Sequence, residues 1–379
     1  MPGASCQARP GQAPRPGRPP GSLVQIDDHR VYAAGFSGTV RSSCILALAV
    51  PGSIVGIIGA GAGFPPEKPP TAKTPFVFFG TVGNLDFNFD EMSELDETLE
   101  DLHIAHRIEE FAGPHDWMPA DLALLAIQWV EIQGMKSGAR PRDPQLVSAL
   151  LADDLAKARS LEAAGDRRGA WHRYQAIAEE FAGLADVTGA TAKAAELAAA
   201  KDVKAVQRLR RELRERDRQY VEDSQRVLAA ADPESGPVNM PRLFADLKLS
   251  ELRARAAKDP TSEQALAAKR LLNTLGAQVA FYLPQLYLER KNYRRAELAY
   301  AVAAELFPER PHVWYNLAAM QARNGGRKKA LADLQHAIEL GFDDSAALAS
   351  DESFASLRDD PAFRGILGSL HPKAAAGNG

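Results

Sequence analysis

Arg30-Val-Tyr-Ala-Ala-Gly-Phe-Ser-Gly38 decides how the first third of this chain reads. Aromatic, β-branched and small residues run to Gly35-Phe36, a serine follows, and an apolar helical pattern begins within a few positions. That order describes a strand, a tight turn and a helix. Small residues flank Ser37 because such a turn brings neighbouring backbones close. The turn lifts the hydroxyl to the C-terminal edge of a sheet, and the amide of Gly38 then faces a developing oxyanion at a helix N-terminus. The full elbow pattern is G-x-S-x-G, and here Thr39 stands at the fifth position.

Three further strand candidates follow, at Ile54–Ile58, Pro75–Phe79 and His106–Phe111, with helical stretches at about 38–50, 91–102 and 119–135. Strands alternating with helices imply parallel strands in an α/β layer fold. The uncharged stretch Cys44–Phe64 is long enough to cross a bilayer. Pro51-Gly52-Ser53 interrupts it, so it reads as a short helix, a turn and a buried strand.

Acid and base candidates come next in the chain. Gly83-Asn-Leu-Asp86 follows the third strand, and Gly113-Pro-His115-Asp-Trp117 follows the fourth. The order Ser37, Asp86, His115 is that of a hydrolase triad: His115 takes the serine proton and Asp86 holds the imidazole tautomer. Asp90 and Asp116 are rivals for the acid. His103, His106 and Glu109 form no metal-ligand set of the usual spacing, and Gly59-Ala-Gly-Ala-Gly63 reads as a loop without the helix and acidic partner of a dinucleotide site. Neither a metal nor a cofactor is expected.

Residues Asp27 to about Ser137 resemble the C-terminal half of bacterial α/β-hydrolases of the dienelactone-hydrolase and polyester-depolymerase-like esterase kind. The resemblance rests on Arg30–Gly38, on Gly83-Asn-Leu-Asp-Phe-Asn-Phe89, and on Gly-Pro-His-Asp-Trp117 with the helix Ala120–Gly134. It implies a triad of Ser37, Asp86 and His115, and an oxyanion amide at Gly38. Thr39 and Pro114 depart from the family's usual glycines. Several strands precede the elbow in that family, and an early loop there supplies a second oxyanion amide. Here only the leader precedes Val24, so the resemblance implies a catalytic half with an impaired oxyanion hole. Loss of one donor costs about 10²–10³ in rate.

The chain has 379 residues, of which 45% are hydrophobic and 25% charged, and a formal net charge of −4. This is a soluble globular balance, with no basic excess for nucleic acid. Two cysteines, Cys6 and Cys44, give neither a disulfide framework nor a zinc site. Residues 1–22, rich in Pro, Gly and Arg, read as a disordered leader without the apolar middle of an export signal. By default the location is cytoplasmic.

Downstream the pattern turns helical. Residues 144–231 are rich in Ala, Leu, Glu and Arg, with Arg208/Glu212 and Arg211/Glu215 spaced as pairs on an exposed helix. Asp232–Pro237 is a turn-rich linker. From about 243 to 372 an internal repeat appears: Ala277–Arg310 aligns with Pro311–Asp344. Leu283, Tyr287, Ala296, Tyr300, Ala303 and Pro308 fall at helix-contact positions in the first copy, and Trp314, Leu317, Ala330, Leu334 and Ala337 fall in the same frame in the second. The spacing is that of tetratricopeptide repeats, with small residues where two helices approach. Asp351–Phe363 resembles a closing segment that covers the last repeat's apolar face.

The expected architecture is therefore α/β followed by all-α: leader 1–22, partial hydrolase domain 23–138, helical region 144–231, and repeats with a cap at 243–372. Two functional classes follow. One is an esterase-like serine hydrolase acting on a small ester or acyl substrate. The other is a non-catalytic scaffold that binds a protein or peptide through its repeats and carries a relic hydrolase domain. Neither implies nucleic acid or membrane.

Overall fold

A computed structural model describes residues 27–370. The leader and the last residues of the closing segment lie outside the described residues. The chain clusters into two compact units that divide between Arg208 and Leu209.

The first unit opens with a sheet of four parallel strands in the order β1-β2-β3-β4. They are β1 (Tyr32–Phe36), β2 (Gly56–Ala60), β3 (Val77–Gly83) and β4 (His106–Phe111). Helix α1 (Gly38–Ala49) links β1 to β2, α2 (Phe89–Asp101) links β3 to β4, and α3 (Ala120–Ser137) follows β4. Side chains alternate across a strand, so neighbouring phenylalanines serve opposite faces. Phe78 joins Val40, Cys44 and Ala47 of α1 and Met92 and Leu99 of α2 in one core. Phe79 turns the other way, to Leu122, Trp129 and Val130 of α3. The architecture is α/β followed by all-α, as the alternation of patterns implies.

The strands hold a few shifts from their sequence-based bounds. β3 extends through Gly80 and Gly83 because a bare backbone is what fits there. A Cβ on Gly80 would come within 2.8 Å of Met92 Cε. The uncharged stretch after Cys44 does break into helix, turn and strand, and no helix among the described residues is long and apolar enough to cross a membrane.

Helices α4 (Pro144–Ala163), α5 (Arg167–Glu180) and α6 (Thr188–Ala199) complete this unit, and α7 (Lys201–Ala230) begins in it. Asp143 caps α4 by accepting the Leu146 amide, and Asp166 caps α5 through Gly169. Ile132 and Met135 of α3 share a core with Val147, Leu150, Tyr174 and Phe181.

A buried ionic cluster adds to that packing. Arg107 of β4, 3% exposed, reaches Glu109 at 2.7 Å, Glu180 of α5 at 2.7 Å and Asp154 of α4 at 3.4 Å. Arg173 closes the circuit to Asp154 at 3.0 Å and Glu109 at 3.2 Å. Two guanidinium groups thus face three carboxylates away from water. Desolvation disfavours the charged form of an acid, and burial pushes Glu180 up to about 7. Burial also opposes ionisation of Glu109, but Arg107 and Arg173 beside it win and hold its carboxyl below the usual range.

The second unit is helical. Its elements are α8 (Met240–Asp246), α9 (Leu249–Lys258), α10 (Glu263–Ala277), α11 (Leu283–Glu289), α12 (Tyr293–Leu306), α13 (Pro311–Arg323), α14 (Arg327–Glu339), α15 (Ser345–Ser350) and α16 (Pro361–Ser369). One π-helical turn, Gln278–Tyr282, joins α10 to α11. Ala296, Ala303, Ala330 and Ala337 are fully buried in one core with Leu317 and Leu334. Phe354 and Phe363 of the closing segment are buried in that same core, with ring centroids 5.6 Å apart.

Candidate active site

All four strands are parallel, so their C-terminal ends share one edge of the sheet. Ser37 follows β1, Gly61 follows β2, Asp86 follows β3 and His115 follows β4.

The turn after β1 is built around close backbone approach. A Cβ on Gly35 would stand 2.8 Å from the Val40 nitrogen, which only glycine avoids. Ser37 sits at φ 53° and ψ −126°. Positive φ in a non-glycine residue is uncommon and costs about 1–3 kcal/mol unless the surroundings enforce it. Enforcement comes from both sides. The Ser37 amide donates to the Ala60 carbonyl at 2.8 Å, and the Ser37 carbonyl accepts from Val40 at 3.0 Å. Thr39, at the position where a glycine is usual, has its own task. Its hydroxyl accepts from the Phe36 amide and lies equally close, 2.7 Å, to the Phe36 carbonyl. The elbow is thereby tied by a side chain as well as by backbone.

Loops after β3 and β4 are laced to each other. Asn84 donates its amide to the Phe111 carbonyl at 2.8 Å, Leu85 donates to Gly113 at 2.9 Å, and the Gly113 amide reaches Asn84 Oδ1 at 3.2 Å. Gly83 must be glycine, since a Cβ would overlap the carbonyl oxygens of Gly113 and Pro114. This lacing brings Asp86 and His115 together. His115 Nδ1 lies 2.9 Å from both Asp86 oxygens. Asp86 is fully buried, and its Oδ1 also accepts the Asn88 amide at 2.8 Å. Rings pack on the imidazole from Phe87, with centroids 4.2 Å apart, and from Phe36 at 4.7 Å. Trp117, exposed, stacks on Phe36 at 5.5 Å.

Two residues outside the sequence-based set belong to this constellation. Gly61, read as part of a plain loop, has φ 68°, and a Cβ there would lie 2.9 Å from His115 Cε1 and 3.1 Å from Asp86 Oδ2. Asn88 donates its side-chain amide to the Gly61 carbonyl at 2.7 Å. The signal for Gly61 was its place at a strand end in register with the other two loops.

The rivals are placed elsewhere. Asp116 accepts the amide of its neighbour Trp117, and Asp90 stands in the first turn of α2. His106 approaches Asp96 at 3.3 Å, and Glu109 belongs to the ionic cluster. Among the described residues no group of three His, Cys, Asp or Glu side chains is arranged to hold a metal.

Ser37 is partly exposed and Gly38 beside it is exposed, at the first position of α1, a helix without a capping side chain. Among the described residues no hydrogen bond joins the Ser37 hydroxyl to His115. The structure therefore brings the acid and the histidine into contact and sets the serine on the same sheet edge. Compared with family models, with curated proteins and with solved structures, the chain matches none.

Proposed function

We propose that the first unit is a serine hydrolase of the esterase kind, with the sheet of an α/β-hydrolase catalytic half. The Asp86–His115 contact carries this reading. A fully buried carboxylate that meets Nδ1 with both oxygens keeps the proton on Nδ1 and leaves Nε2 as the basic nitrogen. In the proposed reaction Nε2 takes the Ser37 proton as Oγ attacks an ester carbonyl. The Gly38 amide supports the oxyanion, the alcohol leaves with the proton from His115, and water releases the acid by the same steps in reverse. The strained φ of Ser37 supports the role, because strain of this kind persists where the surroundings hold a side chain out for use.

The helical hairpins of the second unit, with alanines at their closest approach, support the tetratricopeptide reading and a role as an interaction module. The second class of function, a scaffold with a silent sheet unit, is favoured by one observation: Gly38 is the one oxyanion amide that the described elbow supplies.

The two classes separate with a fluorophosphonate probe. The hydrolase reading expects a covalent adduct that peptide mass spectrometry maps to Ser37, absent in Ser37→Ala and slowed in His115→Gln. A chain that stays unmodified at Ser37 under conditions that label an active esterase overturns it.

A further inference from the structure

A groove of about 850 Å³ opens in the second unit between the linker at Pro233–Met240, α12 and the turn from α13 into α14. That volume lies within the range of built ligand sites, about 300–1,000 Å³. Its floor is apolar, from Val238, Met240, Leu298, Ala301 and Leu317. Its rim is cationic: Arg294, Arg327, Lys328 and Lys329 stand against one lining carboxylate, Glu297.

The cations stand where a helix least accommodates them. α14 opens on Arg327-Lys328-Lys329, with no acid in its first turn and no capping side chain from Gly326. A helix N-terminus carries about half a positive charge and unpaired amides, so three cations there repel it and one another. In the preceding repeat the matching position holds Asn292, whose side chain caps α12 by accepting the Arg295 amide at 3.0 Å. Partners exist for some of the rim. Arg327 pairs with Asp360, Arg294 lies 4.0 Å from Glu234, and Glu297 accepts from Asn324. Lys328 and Lys329 are exposed and enter no ion pair among the described residues.

An independent feature lies in the groove wall. Gln321 is 6% exposed and donates to Asp333 at 2.7 Å, yet its Oε1 accepts nothing. A buried carbonyl oxygen without a donor costs about 1–3 kcal/mol, and Gln321 is among the residues that line the groove.

We propose that this groove binds an acidic segment of a partner polypeptide. Carboxylate side chains of the segment meet Lys328, Lys329 and the open end of α14. Apolar neighbours rest on Leu298, Ala301 and Leu317. Asp360 answers Arg327 and Asp333 acts on Lys329 from one turn on, and further acid at this helix end relieves the repulsion that remains. The site is independent of the hydrolase reading.

The test uses the full chain and a fluorescein-labelled, C-terminally amidated dodecapeptide of alternating leucine and aspartate, read by fluorescence anisotropy. Binding is expected to be at least about tenfold tighter than for the same peptide with asparagine, a difference of one charge-assisted contact or more. The double variant Lys328→Glu/Lys329→Glu is expected to lose at least about tenfold for the acidic peptide while its thermal midpoint holds or rises, since acids favour a helix start. Equal affinity for the two peptides, indifference to the charge reversal, or no binding of the acidic peptide overturns the proposal.

Discussion

Both carboxylate oxygens of Asp86 lie 2.9 Å from Nδ1 of His115, and Asp86 is fully buried while the histidine keeps one side toward solvent. An acid so placed fixes which ring nitrogen carries the proton. Asp86→Asn can donate where Asp86 accepts, so it selects the wrong tautomer with little change of shape. The proposed hydrolase then modifies Ser37 with a fluorophosphonate about 10⁴ times more slowly, the loss seen for this change in the serine-protease triad. Urea denaturation should move little. Unchanged labelling would remove Asp86 from the reaction.

Gly61→Ala attacks the same pair from the neighbouring loop. The new Cβ must adopt φ 68° and intrude within 3.1 Å of both partners. Expected is a stability loss of about 1–3 kcal/mol in urea melts, together with slower labelling of Ser37. Gly38→Ala is the contrast. Its Cβ meets nothing within 4 Å and its amide remains, so labelling should persist.

Thr39→Ala removes the hydroxyl that bridges the Phe36 amide and carbonyl. The loss should be about 1 kcal/mol, with Thr39→Ser restoring it. If Thr39→Ala melts like the parent chain, the bridge contributes nothing to the elbow.

Protonation of Glu180 gives a dependence on pH. Its folded pKa stands near 7, above its ordinary value, so the folded chain holds a proton that the unfolded chain gives up at lower pH. Stability must then fall as pH rises from about 5 to about 7 and level off above. Other charges around it are Arg107 and Glu109 on β4, Asp153, Asp154 and Lys157 on α4, Arg173 on α5 and Lys136 on α3. His106 adds in the same direction, because burial lowers its pKa but Asp96, the Ile104 carbonyl and Glu100 together raise it further. Thermal midpoints should drop by several degrees between pH 5.5 and pH 8, within about the scale of 2–4 °C per kcal/mol for domains of this size. Glu180→Gln should flatten the part due to the carboxyl. A slope that survives Glu180→Gln unaltered would assign the whole effect to other groups.

Much of this was legible from local pattern. β4 matches its sequence reading residue for residue, and α1 and α3 match within two residues, because runs of apolar and helix-forming residues between turn residues mark them. Gly80-Thr-Val-Gly83 was not legible as strand, since its small residues serve neighbours in space, Met92 and the Gly113–Pro114 backbone, that lie outside any local window. Gly61 was hidden for the same reason. Its partners are 25 and 54 positions away in sequence. Arg107 and Glu109 read as charged residues on a strand. Nothing local announced that Asp154 and Glu180, 47 and 73 positions on, would bury them.

That ionic cluster bears on what counts as a module. A piece of chain cut after Gly138 would contain every residue of the candidate site and still be no independent body. Arg107 and Glu109 would lose Asp154, Arg173 and Glu180 at once, and Ile132 and Met135 of α3 would lose the apolar cover of Val147, Leu150 and Phe181. Natural shuffling faces the same constraint as a protein engineer. The sheet can be inherited, transplanted or expressed only together with the helices through Glu180, and recombination breakpoints are tolerated beyond α5 rather than at the glycine that ends α3.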